Sequence, residues 1–280
     1  MRPPPGAEII LPDFPAGLAW LGESPIRADA LLARGPVLLE FWDFARVNSL
    51  RTLPYTMEWH ARYADRGLNV IGIHTPGYSF GRDPDVVAEA VERLGVPYPV
   101  ALDSEYAVWR SFGNEGWPAR YLFDRRGVLR YMHYGEGEYR DAELVVQEVL
   151  AEADGDRAMP APMEPLRPED RPDAQLEPQT PELILPGDRG RLELVRDWLE
   201  GPDYLEAEDA GAAALVSFTA GAAFAVLSGA DRVPGLYETD GRIVADDPGL
   251  RLHGVQFTPV PPGSSVPGAS VPEAGNGGAG

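Results

Sequence analysis

The 280-residue chain contains no cysteine, and no lysine either: all 24 of its basic residues are arginine. Without thiols there can be no disulfide, no thiolate nucleophile and no Cys-ligated metal. Histidine is scarce too, with four residues scattered at positions 60, 74, 133 and 253, so no metal or cofactor is expected. Acidic residues outnumber basic ones 44 to 24, a net charge of −20. That field repels phosphate backbones and anionic lipid, which argues against nucleic-acid partners. Long apolar runs are also nearly absent. One stretch, 210–230, runs 21 residues without a charge, the length of a membrane span. It is filled largely with Ala, Gly, Ser and Thr, flanked by Glu208, Asp209 and Asp231, and interrupted at Thr219-Ala220-Gly221. It reads as a buried pair of strands, 212–218 and 222–228, and no span is expected. The start, MRPPPGAEIILPDFPAG, shows neither the basic nor the apolar region of a secretory signal. A cytoplasmic location is therefore expected.

What is present suits a folded chain: 44% apolar and 9% aromatic residues. Residues 1–155 alternate strand-like and helix-like segments. Strands are predicted at 37–42, 68–74 and 98–102, and a hairpin at 120–123 and 129–134 turns on Asp124-Arg125-Arg126-Gly127. Helices are predicted at 48–64, with Pro54 inside, from Asp83-Pro84 onward, at 104–112 after a Ser cap, and at 140–153. Strands separated by helices imply a mixed α/β sheet with an antiparallel edge. Residues 156–190 hold eight prolines and an acidic excess, the composition of a semi-rigid linker. Residues 191–258 turn strand-like again, and 259–280 read as a disordered Pro/Gly/Ser/Ala tail.

The run Leu39-Glu40-Phe41-Trp42-Asp43-Phe44-Ala45-Arg46-Val47-Asn48-Ser49 resembles thioredoxin-like proteins of the TlpA/redoxin group. Within that group it most resembles the soluble C-terminal region of DipZ-type cytochrome-biogenesis proteins. There an acidic-Phe-Trp strand leads to Cys-x-x-Cys at a helix start, with a proline five residues on. Here Pro54 lies five residues after Ser49, so Arg46-Val47-Asn48-Ser49 fills the Cys-x-x-Cys positions. In order, 70–76 and 98–103 are similar to the family's next strands, Trp117-Pro118-Ala119 to its cis-proline loop, and 135–139 to the run before its last helix. The resemblance implies a thioredoxin-like α/β domain. It also implies that the strands of 191–258 form a small β-sandwich like a carbohydrate-binding module. In those strands Trp198, Tyr204 and Tyr237 are the only large rings that could stack on a sugar.

The family's disulfide exchange does not carry over. A helix N-terminus activates a cysteine by stabilising its thiolate. Arg46 is a permanent cation with no nucleophilic lone pair, and Ser49 has a hydroxyl of far higher pKa with no base beside it in sequence. Glu40 matches the family's buried acid and is a candidate partner for Arg46; the alternative places Arg46 in solvent. Trp42, Tyr78 and Trp117 could line a groove beside Pro118 in which an extended peptide adds as a strand. The binding candidates are thus Glu40, Trp42, Arg46, Asn48, Ser49, Trp117 and Pro118, with no catalytic residue. His60 and His74 read as structural, His133 and His253 form no cluster, and Glu136 and Glu138 read as a solvated turn. The expected function is non-catalytic binding or scaffolding of a protein or peptide, with self-association through the second domain possible. Two alternatives stay open: an oxidoreductase accessory working with a cysteine-bearing partner, and a sugar or peptide binder acting through the sandwich.

Overall fold

A computed structural model describes residues 1–3, 8–22, 26–154 and 158–260; the expected tail lies outside them except for Pro259 and Val260. The chain divides into two compact units, Met1–Ala174 and Gln175–Gly280.

The first unit is built on a six-stranded sheet. Its strands are β1 (Ala19–Leu21), β2 (Val37–Trp42), β3 (Asn69–His74), β4 (Val100–Leu102), β5 (Ala119–Phe123) and β6 (Leu129–Tyr134). The order is β1-β4-β3-β2-β5-β6. β2, β3 and β4 run parallel, while β1, β5 and β6 are antiparallel to their neighbours. All six residues of β2 are buried, as a central strand covered on both faces requires. Among its described residues the unit also has the α-helices α1 (Ala28–Arg34), α2 (Val47–Tyr63), α3 (Pro84–Leu94), α4 (Ala107–Ser111) and α5 (Tyr139–Asp154).

Most predicted elements are present within a residue or two, and local chemistry explains their ends. α3 starts where the Asp83 carboxylate accepts from the Asp85 amide, with Pro84 behind it, and stops at the left-handed Gly95. α4 differs from expectation. It starts at Ala107 rather than at Ser104, because the buried Asp103 carboxylate accepts from the Val108 and Trp109 amides at 2.9 and 2.8 Å. β1 and α1, which show little periodicity, were not expected.

The first part of the proline-rich segment belongs to the first unit. Residues 158–170 run against α2 and α5. Arg66, Gln147 and Arg62 donate to the carbonyls of Ala158, Pro160 and Ala161, and the Met163 amide donates to the Glu143 carboxylate. The Tyr55 hydroxyl accepts from the Leu166 amide and donates to the Asp170 carboxylate, both at 2.7 Å. Arg51 donates to Glu169 at 2.9 Å.

Among its described residues the second unit is built of β-strands, with one short 3-10 turn at Arg189–Arg191. Its strands are β7 (Leu183–Ile184), β8 (Glu193–Val195), β9 (Trp198–Glu200), β10 (Leu205–Ala207), β11 (Ala213–Leu215), β12 (Ala223–Ser228), β13 (Gly235–Thr239), β14 (Arg242–Val244) and β15 (Arg251–Phe257). One sheet runs β13-β12-β15-β10-β9 with β7 added at β15; the other runs β14-β11-β8. The two apolar runs around Thr219-Ala220-Gly221 do form strands, yet they do not pair: β11 and β12 belong to different sheets. Among the described residues no helix is long and apolar enough to cross a membrane.

Replacing Tyr55 with Phe removes the hydroxyl that bonds two points of the 158–170 segment. The expected loss is about 1–3 kcal/mol of first-unit stability, with faster amide hydrogen exchange across that segment. An unchanged exchange profile there would show that other contacts hold it.

Candidate functional site

β2 delivers the chain into α2 through Asp43, Phe44 and Ala45, with Arg46 at the helix N-cap position. Arginine has no acceptor to cap a helix, and Arg46 makes no side-chain cap bond. Asp43 organises the turn instead: one carboxylate oxygen accepts from the Ala45 amide at 2.9 Å, the other from the Gly77 amide at 2.7 Å. Ser49, fully buried, accepts from the Asp43 amide at 3.3 Å. Facing this helix tip is the Trp117–Pro118 peptide bond, which is cis. The Asn48 side-chain amide donates to the Trp117 carbonyl at 2.9 Å, and the Trp117 indole N–H donates to the Thr75 carbonyl at 2.9 Å. Residues 46–49 therefore sit at a helix start, bonded to the cis turn, where the resemblance placed them.

The Arg46 guanidinium lies over two rings, 4.9 Å from the centroids of both Tyr78 and Trp117. A cation in that position is attracted by both π faces. Gly77 closes the bracket. A Cβ there would stand 2.8 Å from Arg46 Nε and 2.9 Å from both Arg46 Nη2 and Asp43 Oδ2, so the guanidinium and the Asp43 carboxylate converge on it. Burial alone would push the Asp43 carboxyl upward. The neighbouring His74 at 3.5 Å, the Ala45 amide and the Arg46 charge together outweigh burial and hold it below the usual range.

The expected partnership of Arg46 with Glu40 is corrected by this geometry. The cation nearest Glu40 is Arg120, its direct cross-strand partner on β5. Glu40 accepts from the Thr56 hydroxyl at 2.7 Å and the Tyr98 hydroxyl at 3.0 Å, while its other oxygen makes no hydrogen bond. It is wholly buried. Desolvation raises its pKa to about 7, against the pull of those hydroxyls and of Arg120. Arg120 is equally buried. It donates to the Gly137 carbonyl at 2.6 Å and lies 4.9 Å over the Tyr139 ring.

Of the seven binding candidates, Arg46, Asn48 and Trp117 are partly exposed and meet at the turn. Glu40, Trp42, Ser49 and Pro118 are buried, and Tyr78 lies beneath Arg46. Trp42 is core: its ring is fully enclosed and stands edge-on to His74. The sequence reading missed Asp43, whose place beside the quoted motif was a usable signal. It also missed Arg120, which sits in the apolar run Ala119–Phe123 where a charge demands a buried partner. Glu136 and Glu138 do not act together: Glu136 pairs with Arg51 at 2.7 Å and Glu138 accepts from Tyr131. The three rings weighed as sugar platforms are engaged already. Trp198 is buried, Arg251 lies over Tyr204 at 4.6 Å, and Arg232 over Tyr237 at 5.5 Å.

With no cysteine in the chain, the site carries no thiol pair for disulfide exchange. Ser49 is enclosed, and its hydroxyl accepts a hydrogen bond from the Asp43 amide. Among the described residues no group of three or more His, Asp or Glu is placed to hold a metal ion.

The chain is similar in sequence to known proteins. Residues 11–132 match the AhpC/TSA family. Protein DipZ of Mycobacterium tuberculosis is 38% identical over 172 residues, covering 60% of this chain but 25% of DipZ, so the matched region spans about a quarter of that relative's length. The thiol-disulfide oxidoreductase YkuV of Bacillus subtilis is 31% identical over 144 residues, 51% of this chain and 96% of YkuV. A solved thioredoxin-like protein in its oxidized form is 31% identical, with a TM-score of 0.47 over 52% of this chain and 97% of its own.

Glu40 sets a pH dependence whose sign follows from its raised pKa. Unfolded, a glutamate titrates near 4.5; folded, this one titrates near 7. Between those values the folded state holds the extra proton, so stability falls as pH rises through the window. The full penalty, about 3 kcal/mol, is present above it. Glu40→Gln is expected to abolish that decline, so that wild type loses ground to the variant between pH 4.5 and 8 in thermal melts. Parallel curves for the two proteins would mean that Glu40 is ionised in the fold throughout.

Proposed function

Because the chain belongs to the AhpC/TSA family of thioredoxin-like proteins and holds no thiol at all, we propose that its thioredoxin-like unit is non-catalytic and binds an extended segment of a protein partner along the Trp117–Pro118 turn. The observation that carries the reading is the joint preservation of helix tip and cis turn, with Arg46, Asn48 and Trp117 partly exposed where the family keeps its thiols. Extended segments bind such edges through main-chain hydrogen bonds, with side-chain pockets supplying selectivity. Asn48 bears directly on this. Its amide already occupies the Trp117 carbonyl, the acceptor an incoming strand would use. The resting site is therefore partly self-satisfied, and binding exchanges that bond for one to the partner. We further read the two sheets of the second unit as the faces of a β-sandwich that contributes contact surface rather than a sugar platform, its candidate rings being already covered.

Two measurements test the proposal. In an insulin-reduction assay with supplied dithiothreitol, the protein is expected to show no turnover above blank. The double substitution Arg46→Cys with Ser49→Cys is expected to create turnover, because helix start and cis turn are both in place. Turnover by the unmodified protein would overturn the non-catalytic reading. On an array of extended peptides, Trp117→Ala is expected to abolish binding. Asn48→Ala is expected to strengthen it roughly fivefold, the effect of about one hydrogen bond released for the ligand. Binding indifferent to both changes would place the partner elsewhere.

A further inference from the structure

The second unit contains a serine, a histidine and an aspartate brought together from three separate places in the sequence. Ser228 ends β12, His253 lies in β15, and Asp203 precedes β10. The Ser228 hydroxyl is 2.8 Å from His253 Nε2, and His253 Nδ1 is 3.0 Å from the Asp203 carbonyl oxygen and 3.6 Å from its carboxylate. Chemistry fixes the proton positions. A backbone carbonyl can only accept, so Nδ1 must carry the ring hydrogen. A neutral ring then has a bare Nε2, and the Ser228 hydroxyl must donate to it. This is the arrangement in which an imidazole acts as general base toward a serine, with the far nitrogen held by an acceptor.

Two features of the backbone serve this contact. The β12–β15 register shifts between Val226 and Leu227: Val226 pairs with Gly254 but Leu227 with Leu252, which leaves His253 as the extra residue of a bulge. Bulges re-aim a side chain and recur beside active sites. Immediately after Ser228, three successive residues have positive φ, Gly229 at 74°, Ala230 at 48° and Asp231 at 60°. For alanine and aspartate that conformation is strained, and such strain gathers at functional sites. The serine is 5% exposed and the histidine 1%. Arg251 is Ser228's cross-strand partner. It lies over Tyr204, which in turn stands edge-on to His253, and it reaches Glu206 at 2.7 Å while itself exposed.

We propose that Ser228 is a nucleophile activated by His253, able to accept a small acyl group from an activated ester once the Arg251 side chain swings aside. Ser228 Oγ attacks the ester carbonyl as its proton passes to His253 Nε2. The alcohol leaves with that proton, giving an O-acyl serine. Water then attacks the acyl carbon, His253 taking its proton and returning it to Ser228 Oγ as the carboxylic acid departs. Only ester and water are consumed. The depth of the serine limits the substrate to short acyl groups.

The test uses the full-length protein with two probes, p-nitrophenyl acetate and diisopropyl fluorophosphate. The expected result is one phosphoryl adduct by intact mass, mapped to Ser228 by peptide sequencing, together with release of p-nitrophenol. Ser228→Ala should remove both signals. His253→Gln should slow release by about 100-fold or more, the contribution of a general base. Arg251→Ala should quicken labelling by opening the cover. Circular dichroism melts establish that each variant is folded, and adduct mapping on the unsubstituted protein stands independently of any variant. No adduct on either the unsubstituted protein or the Arg251→Ala protein, or an adduct only at another residue, would overturn the proposal. So would a rate unaffected by His253→Gln.

Discussion

A carboxyl group and a guanidinium face each other across β2 and β5, both without solvent, and the first unit is arranged around them. Strand register puts Glu40 opposite Arg120. Neither side chain can be buried alone without a cost of several kcal/mol, so the surrounding structure must answer both. It does so asymmetrically. Glu40 takes hydroxyls from α2 and from Tyr98, just before β4; Arg120 takes a carbonyl from the loop before α5 and the faces of Tyr139 and Trp59. Elements that share no sequence proximity are thereby fixed to the same point under α2. Burial raises the pKa of Glu40 to about 7 even beside the Arg120 cation.

That arrangement explains why the thiol positions could change without loss of the scaffold. The helix tip is held by Asp43, not by residue 46: its carboxylate receives two amides, and its own amide reaches Ser49. The cis turn is held by Asn48 and by the Trp117 indole. Arg46 sits where the helix dipole disfavours a cation. Two aromatic faces and the Asp43 charge offset that disadvantage, and Gly77 alone leaves room for the guanidinium. Geometry here outlives chemistry because different atoms enforce the two.

Much of this was legible in the sequence, and the boundary is physical. Runs such as Val37–Trp42 and Asn69–His74 declare central strands because both faces are apolar, and Asp83-Pro84 declares a helix start through its own side chain. The degenerate tetrad at 46–49 and the Trp117-Pro118 turn were found by spacing. Pairings were not. The family's buried acid makes Glu40 a candidate partner for the nearby Arg46, with solvent as the alternative for Arg46, whereas β5 lies beside β2 and brings Arg120 from eighty residues away. Likewise, nothing in the sequence of the two consecutive strands β11 and β12 shows that each finds its partners in a different sheet. The proline-rich stretch was read as a spacer from composition; its arginine, tyrosine and carboxylate contacts to α2 involve residues that look like ordinary surface charges.

His253 shows the same limit most sharply. In sequence it is a lone histidine in a strand, with no acid or serine nearby. A one-residue bulge and a return of the chain through β10 give it a hydroxyl on one ring nitrogen and a carbonyl on the other. Pattern reading finds chemistry whose parts are local, as in a Cys-x-x-Cys motif, and it found even the absence of that chemistry here. It is blind to constellations assembled by register, since shifting a pairing by one residue changes which side chains meet while leaving composition and periodicity untouched. The Arg46-Val47-Asn48-Ser49 tetrad in the first unit is conspicuous because its parts are contiguous. The serine–histidine contact in the second escapes notice for the opposite reason, which says nothing of their relative importance to the molecule.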